Sequence, residues 1–331
     1  MKKYTYKDSG VDIAKGEEAI SNIKDAIKTT FSKNVLGTIG GFGGMFEVPE
    51  GYKRPVLVSS TDGVGTKLRV AVMAQKHDTV GEDLVNHCIN DIAVLGAKPL
   101  YFLDYFATAR LDETVFNAVL TGFIRGCKNS GVSLIGGETA EMPGIYNGDD
   151  YDLCGTIVGI IEKENIIDGR RIKKGDILVG LASQGLHTNG YSLARKVLFE
   201  DFTVDSFVKD IDNTIGAELL KVHRCYLNPI QAAISKFQIK GISHITGGGI
   251  VGNTSRVLPE GLKLQVDWGS WHTLPIFDLI QETGSVPVKD MRRTFNLGIG
   301  LIFIVDPDQA DELTGWLNNN NEKAWKIGSI I

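Results

Sequence analysis

The sequence predicts an α+β protein made of two α/β domains, and three observations support that class. The chain has 331 residues, long for a single domain. Its first half runs strand, helix, strand, helix, strand, strand, the order of layered α and β elements. Both halves also reuse one device, a buried strand followed by a glycine-rich turn and a helix. The patterning falters around 162–174, where polar residues and Asp168-Gly169 interrupt it. The division is therefore expected as 1–168 and 169–331.

Within the first half, residues 4–16 read as irregular. Residues 17–31 place Ile20, Ile23, Ile27 and Phe31 on one helical face. Five glycines then fall within 37–45, a composition suited to a mobile connector or to a cover that orders over a ligand. The apolar run 55–58 predicts a strand, and 80–97 a helix with the stripe Val80, Leu84, Cys88, Ile92 and Leu95. Asn90 and Asp91 lie inside that helix, where such residues are disfavoured unless they face water or have a task. A strand follows at 100–107, apolar except for Asp104, then a helix capped by Asp112. Residues 132–135 and 151–161 complete the strands of this half.

The second half opens with a strand at 176–182 and a polar loop leading to a helix at 191–199, a usual position for an anion site. Residues 200–215 read as a surface excursion and 216–237 as helical. A strand before the triple glycine 247–249 precedes a helix at 250–257. The remainder predicts a strand at 262–266, a helix opened by Pro275, a strand at 298–305, a helix at 308–318 and a strand near 325–330.

Composition excludes several functions. A net charge of −5 argues against non-specific nucleic-acid binding, so any polyanion must be held by local features. The four cysteines have no C-x-x-C spacing, which indicates neither a disulfide framework nor a zinc site. No apolar run reaches 18 residues and the N-terminus has no apolar targeting core, so no membrane partner and a cytoplasmic location are expected. Neither a Walker loop, nor a dinucleotide fingerprint, nor a nucleophile elbow is present.

The chemistry concentrates at the strand ends. Ser59 to Lys67 supplies hydroxyls, Asp62, two glycines and Lys67, which are the parts needed to hold a metal-bound polyphosphate. The same stretch also reads as a glycine-rich turn with a solvated Asp and Lys. Asp62, Asp91, Asp104 and Glu138 are carboxylates at strand ends or in apolar contexts, and several of them converging without His or Cys would suit a hard cation with phosphate rather than zinc. His187 and Asn189 lie in the polar loop, where His187 is either a proton-transfer or anion-binding group or a helix cap. His244 reads as a satisfied core histidine.

These motifs together resemble the AIR synthetase family, the phosphoribosylformylglycinamidine cyclo-ligases. The resemblance is carried by 6–12, Gly40-Gly41-Phe42-Gly43-Gly44, Thr61-Asp62-Gly63-Val64-Gly65-Thr66-Lys67, Asn90-Asp91, 102–105, 136–144, 187–192, 244–249, 293–296 and 324–328. Two departures stand out: His87 and Leu297 replace the Met and Cys expected in the family pattern. The resemblance implies ATP-dependent ring closure of formylglycinamidine ribonucleotide to aminoimidazole ribonucleotide, with ADP and phosphate released. It implies Mg²⁺ on Asp62, Asp91 and Glu138. ATP would be held by Gly40, Gly41, Gly43, Gly44, Thr61, Asp62, Gly63 and Lys67. Substrate contacts would come from His187, Asn189, Gly247, Gly248 and Gly249, with His187, Asp91 and Lys67 as the catalytic set. It also implies a homodimer whose N-terminal sheets pair, a use to which the apolar strand 100–106 is suited. Selenophosphate synthetase is disfavoured because residues 1–30 contain no Cys. A nucleotide-binding regulatory protein without turnover would have no need of a metal-loaded triphosphate.

Overall fold

A computed structural model gives the structure, which describes residues 10–11 and 13–331. Most of the motif at 6–12 therefore lies outside the described residues.

The first half comprises α1 (Ile13–Lys28), β1 (Pro55–Gly63), α2 (Lys67–Met73), α3 (Asp78–Ala93), β2 (Lys98–Thr108), α4 (Glu113–Ser130), β3 (Ser133–Glu141) and β4 (Tyr151–Glu162). Its sheet has the order β1-β4-β2-β3, with only the β2–β3 pair parallel. Helices α3 and α4 cover one face, and two glycines let them approach. A Cβ at Gly81 would lie 2.2 Å from the Val119 carbonyl oxygen, and one at Gly122 would lie 2.4 Å from that of Asp78. The Asp112 carboxylate accepts bonds from the Thr114 and Val115 amides at 2.8 and 3.1 Å, and so starts α4 as expected. The opposite face of the sheet is poorly covered: Leu57 is 59% exposed, beside exposed Ser59 and Thr61.

The second half comprises β5 (Ile177–Ala182), α5 (Tyr191–Asp201), β6 (Phe207–Val208), β7 (Asn213–Thr214), α6 (Ile215–Leu219), α7 (Leu227–Lys236), β8 (Gly241–His244) and α8 (Gly249–Ser255). It continues with β9 (Leu264–Val266), α9 (Pro275–Thr283), α10 (Val288–Thr294), β10 (Ile299–Val305), α11 (Pro307–Asn319) and β11 (Ala324–Ile330). These form an antiparallel sheet of order β8-β10-β5-β11-β9. Every residue of β10 is buried, which explains its continuous apolar run beside β5.

Four details differ from expectation. Both β1 and β3 continue through their glycine-rich ends, because cross-strand pairing (Asp62 with Gly155, Glu141 with Thr108) outweighs the weak strand preference of glycine. The expected helix at 216–237 is split, and 220–226 cross against α3. There Asn90 Oδ1 accepts from the Tyr226 amide at 2.7 Å while its Nδ2 donates to the Arg224 carbonyl at 2.8 Å. That buried amide is the task of a helix-interior Asn: it joins the two halves. The excursion at 200–215 contains the two-stranded ribbon β6–β7. Helix α10 has no counterpart in the apolar pattern, since its short run 288–294 buries only Met291.

Candidate active site

The end of β1 and the side of α3 face β8 and α8 across a cleft of about 480 Å³ between the two sheets. Ser60, Thr61, Asp62, His87 and Asp91 line one wall, and His244, Thr246, Asn253 and Arg256 the other. Asp62 and Asp91 thus come together, as the sequence suggested. Each carboxylate is met by an imidazole: Asp62 Oδ2 by His87 Nε2 at 2.9 Å, and Asp91 Oδ1 by His244 Nδ1 at 2.9 Å. The Ser60 hydroxyl also donates to Asp91 Oδ2 at 3.0 Å. Burial works to raise both acids, but the hydrogen bonds and charge of His87 and His244 outweigh it and hold both below the usual carboxylate range. The cleft therefore presents two ionised carboxylates near neutral pH.

Behind this wall lies a cluster of buried histidines. His87 Nδ1 lies 2.9 Å from Thr188 Oγ1, which is 3.2 Å from His223 Nδ1, and His223 Nε2 is 3.0 Å from His244 Nε2. His187 stacks on His223 with ring centroids 4.1 Å apart. Burial pushes His187 and His223 well below the ordinary imidazole range, with neighbouring positive charge adding to the effect. His187 is thus not a solvated loop residue but a neutral core group, 1% exposed. Its backbone adopts φ 64°, in the left-handed region.

Lys67 is likewise enclosed. Its ammonium bonds Asp83 Oδ1 at 2.9 Å and the carbonyls of His187 and Lys221 at 3.1 and 2.7 Å. Burial lowers Lys67 and raises Asp83, and their contact opposes both shifts. This places the lysine beneath the cleft as a strut between α3 and the 183–190 loop, not at its surface.

The remaining candidates fall in two places. Asn189 reaches the triple glycine: a Cβ at Gly247 would lie 3.2 Å from Asn189 Oδ1. Gly248 and Gly249 have φ of 105° and 66°, and the Asn253 amide donates to the Gly249 carbonyl at 2.9 Å. Gly40, Gly41, Gly43 and Gly44 instead roof a second cavity of about 500 Å³, walled by Ile23, Ile27, Leu120 and Leu134, with Asp104 and Glu138 at its edge. Glu138 is not beside Asp62. Two strands separate them in the β1-β4-β2-β3 order, a span of about 14 Å at ordinary strand spacing. In this second cavity burial pushes Asp104 up to about 7.

Sequence reasoning missed His87, His223, Thr246, Asn253 and Arg256. His87 was recoverable, since it precedes Asp91 by one helical turn and shares its face. His223 was not, because it lies in the break of an apparent helix.

The comparisons agree with this architecture. Residues 48–161 match the family described as AIR synthase related protein, N-terminal domain, and 173–331 match the corresponding C-terminal domain. A phosphoribosylformylglycinamidine cyclo-ligase of Thermoanaerobacter sp. (strain X514) is 51% identical over 328 residues, 98% of this chain and 97% of its own length. The protein of the same name from Bacillus cytotoxicus is 48% identical over 98% of this chain and 95% of its own. Among solved structures, a thiamine-monophosphate kinase from Stenotrophomonas maltophilia superposes with a TM-score of 0.66 at 18% identity, covering 94% of this chain and 93% of that one. The hydrogenase maturation protein HypE of E. coli gives 0.66 at 16% identity, covering 94% and 91%. These last two share the fold. At 51% and 48% identity over nearly its whole length, the chain belongs to the phosphoribosylformylglycinamidine cyclo-ligase family of AIR synthase related proteins.

Proposed function

We propose that the chain closes the imidazole ring of aminoimidazole ribonucleotide from formylglycinamidine ribonucleotide, using ATP, in the cleft between its two sheets. The observation that carries this placement is the pair of ionised carboxylates, Asp62 and Asp91, facing Thr246, Asn253 and Arg256 across that cleft. In the reaction ATP phosphorylates the formamide oxygen. The amidine nitrogen attacks that carbon, and phosphate then leaves with the oxygen. A poor leaving oxygen becomes a good one, at the cost of one ATP.

The donor set fits a divalent cation. Asp62 and Asp91 would hold Mg²⁺, which would neutralise charge on the transferring phosphoryl group. Each chain residue then has a task. His87 and Ser60 orient the two carboxylates, and the Asn253 amide fixes the Gly247–Gly249 turn whose backbone, with Asn189, would meet the substrate. Lys67 and His187 act from beneath: Lys67 ties the 183–190 loop to α3, so both are assigned positioning roles. The apolar cavity under Gly40–Gly44 suits the flat base of a nucleotide better than its phosphates, so we assign that roof to the base. Glu138, at the cavity edge, would join the metal only if the ligand spans from cavity to cleft.

Two further readings belong to this proposal. The division at 168/169 separates residues of the two sheets, β4 ending at Glu162 and β5 starting at Ile177. The poorly covered sheet face around Leu57 would be buried in a homodimer, and sedimentation should then give twice the chain mass.

The reaction is tested by ADP release from Mg²⁺–ATP with and without formylglycinamidine ribonucleotide. Release that requires the ribonucleotide and collapses in Asp62→Asn is expected. Release indifferent to the ribonucleotide would overturn the reading. Among the described residues no helix is long and apolar enough to cross a membrane.

A further inference from the structure

The cleft holds its charges apart. Asp62 and Asp91 lie on one wall and Arg256 on the other. Among the described residues Arg256 is the one lysine or arginine that lines the cleft. Its guanidinium has a single partner there, Asn253 Oδ1, to which Nη1 donates at 3.4 Å. Other arginines are tied to carboxylates: Arg69 to Asp150, Arg125 to Glu82 and Arg224 to Glu322. A guanidinium carries five N–H donors and stays charged, so most of the donors of Arg256 are unused. Two acids and an arginine that do not meet leave an opening of about 480 Å³ between them. A ligand that satisfies both walls needs a metal-binding side and an anionic side. A metal-bound phosphoryl group has both.

Lys67 cannot supply this contact. It is fully buried, and its ammonium is committed to Asp83 and to the carbonyls of His187 and Lys221. Arg256, in contrast, is aimed by a rigid neighbour. Asn253 Nδ2 donates to the Thr246 and Gly249 carbonyls at 3.1 and 2.9 Å, and its Oδ1 accepts from the Thr246 hydroxyl at 3.0 Å. We infer that Arg256 is a catalytic residue whose guanidinium grips the γ-phosphoryl group of the bound nucleotide and holds it through transfer. In that step the bond from the γ-phosphorus to the terminal oxygen of ADP breaks, and its electron pair stays with ADP. A bond forms between the phosphorus and the formamide oxygen of the ribonucleotide, and the formamide nitrogen sheds its proton to water. Arg256 neither gains nor loses a proton. Its planar fork matches two phosphoryl oxygens, and its charge offsets theirs.

The inference rests on the ring-closing reading of the cleft, and its test separates the two. Full-length Arg256→Ala and Arg256→Lys proteins are compared with the unaltered chain by steady-state ADP release. Calorimetry measures their affinities for the Mg²⁺ complexes of ADP and of β,γ-imido-ATP. Arg256→Ala is expected to lower kcat roughly 10²–10³-fold with the ribonucleotide KM nearly unchanged. It should weaken the triphosphate analogue about tenfold or more, and ADP hardly at all. Arg256→Lys keeps the charge but loses the fork, and should fall between. An unchanged kcat or equal weakening of ADP and the analogue would overturn the inference. So would a loss confined to the ribonucleotide KM, which would place Arg256 on the ribose phosphate. If Arg256→Ala has altered circular dichroism, Arg256→Lys decides by the same ratio of affinities. Those affinities need no ribonucleotide. An unaltered chain whose ADP release ignores the ribonucleotide would overturn the reaction, and the ratio would still decide the role of Arg256. A chain that cyclises its substrate, with both nucleotides weakened alike in Arg256→Ala, would overturn that role and leave the reaction.

Discussion

The cleft and the glycine-roofed cavity are almost equal in volume, about 480 and 500 Å³, and each contains aspartate, yet they treat it oppositely. In the cleft, imidazole contacts overcome burial and keep Asp62 and Asp91 below the ordinary range. In the cavity no charged group among the described residues shifts Asp104, and burial, opposed only by a backbone hydrogen bond, raises it to about 7. One residue type is thus held ionised in one place and pushed toward its protonated form in the other. The difference is set by neighbours contributed from distant parts of the chain.

The largest test of this contrast removes the counter-charge beneath the cleft. Lys67→Met leaves Asp83 fully buried with only the His223 amide to set against its desolvation. A loss of about 3–5 kcal/mol in unfolding free energy is expected from urea titration. Next comes the cleft itself. Asp91→Asn, which keeps shape but removes charge, should lower kcat by roughly 10²–10³-fold, about 2.7–4 kcal/mol, with little change in melting temperature. Steady-state ADP release checks it, and an unchanged kcat would move the metal site elsewhere.

The cavity should respond to pH in the opposite sense from a paired acid. Asp104 has a folded pKa above its unfolded value of 3.8. Its favourable contribution is therefore complete below about pH 4 and lost as pH rises through about 7. A tenfold difference in proton affinity between the folded and unfolded chain is worth ~1.4 kcal/mol, so the unaltered protein should lose a few kcal/mol across that window and Asp104→Asn should not. Stability of the two proteins measured at pH 5 and pH 8 would separate them. Parallel curves would mean that the cavity is wetter than its apolar lining suggests. The smallest effect is expected where an aspartate is solvated: Asp112→Ala removes the cap of α4 and should cost about 1 kcal/mol by thermal unfolding.

What was legible in the sequence was local. Apolar periodicity placed α3, β2, α4, β4 and β10 to within a few residues, because side-chain period follows directly from backbone geometry. The Asp112 cap was legible for the same reason, being a contact between residues two and three positions apart. The joining of Asp62 with Asp91, and of Asn189 with Gly247, followed from motif types that fit one chemistry. The break at 220–226 was not legible, since its helical pattern is overridden by Asn90, more than 130 residues away in sequence.

The sequence by itself determined the two α/β layers, the carboxylates and glycine turns that belong to a site, and the family. Only the tertiary structure decided the state of each group. Charge and polarity in a loop ordinarily mean solvent, and the family resemblance implied catalytic roles for Lys67 and His187. They are buried because α3 brings Asp83 beneath the loop to pair Lys67, and because 220–226 brings His223 to stack on His187. Protonation and accessibility depend on burial and on partners remote in the chain, and neither has a local signature in the amino-acid order.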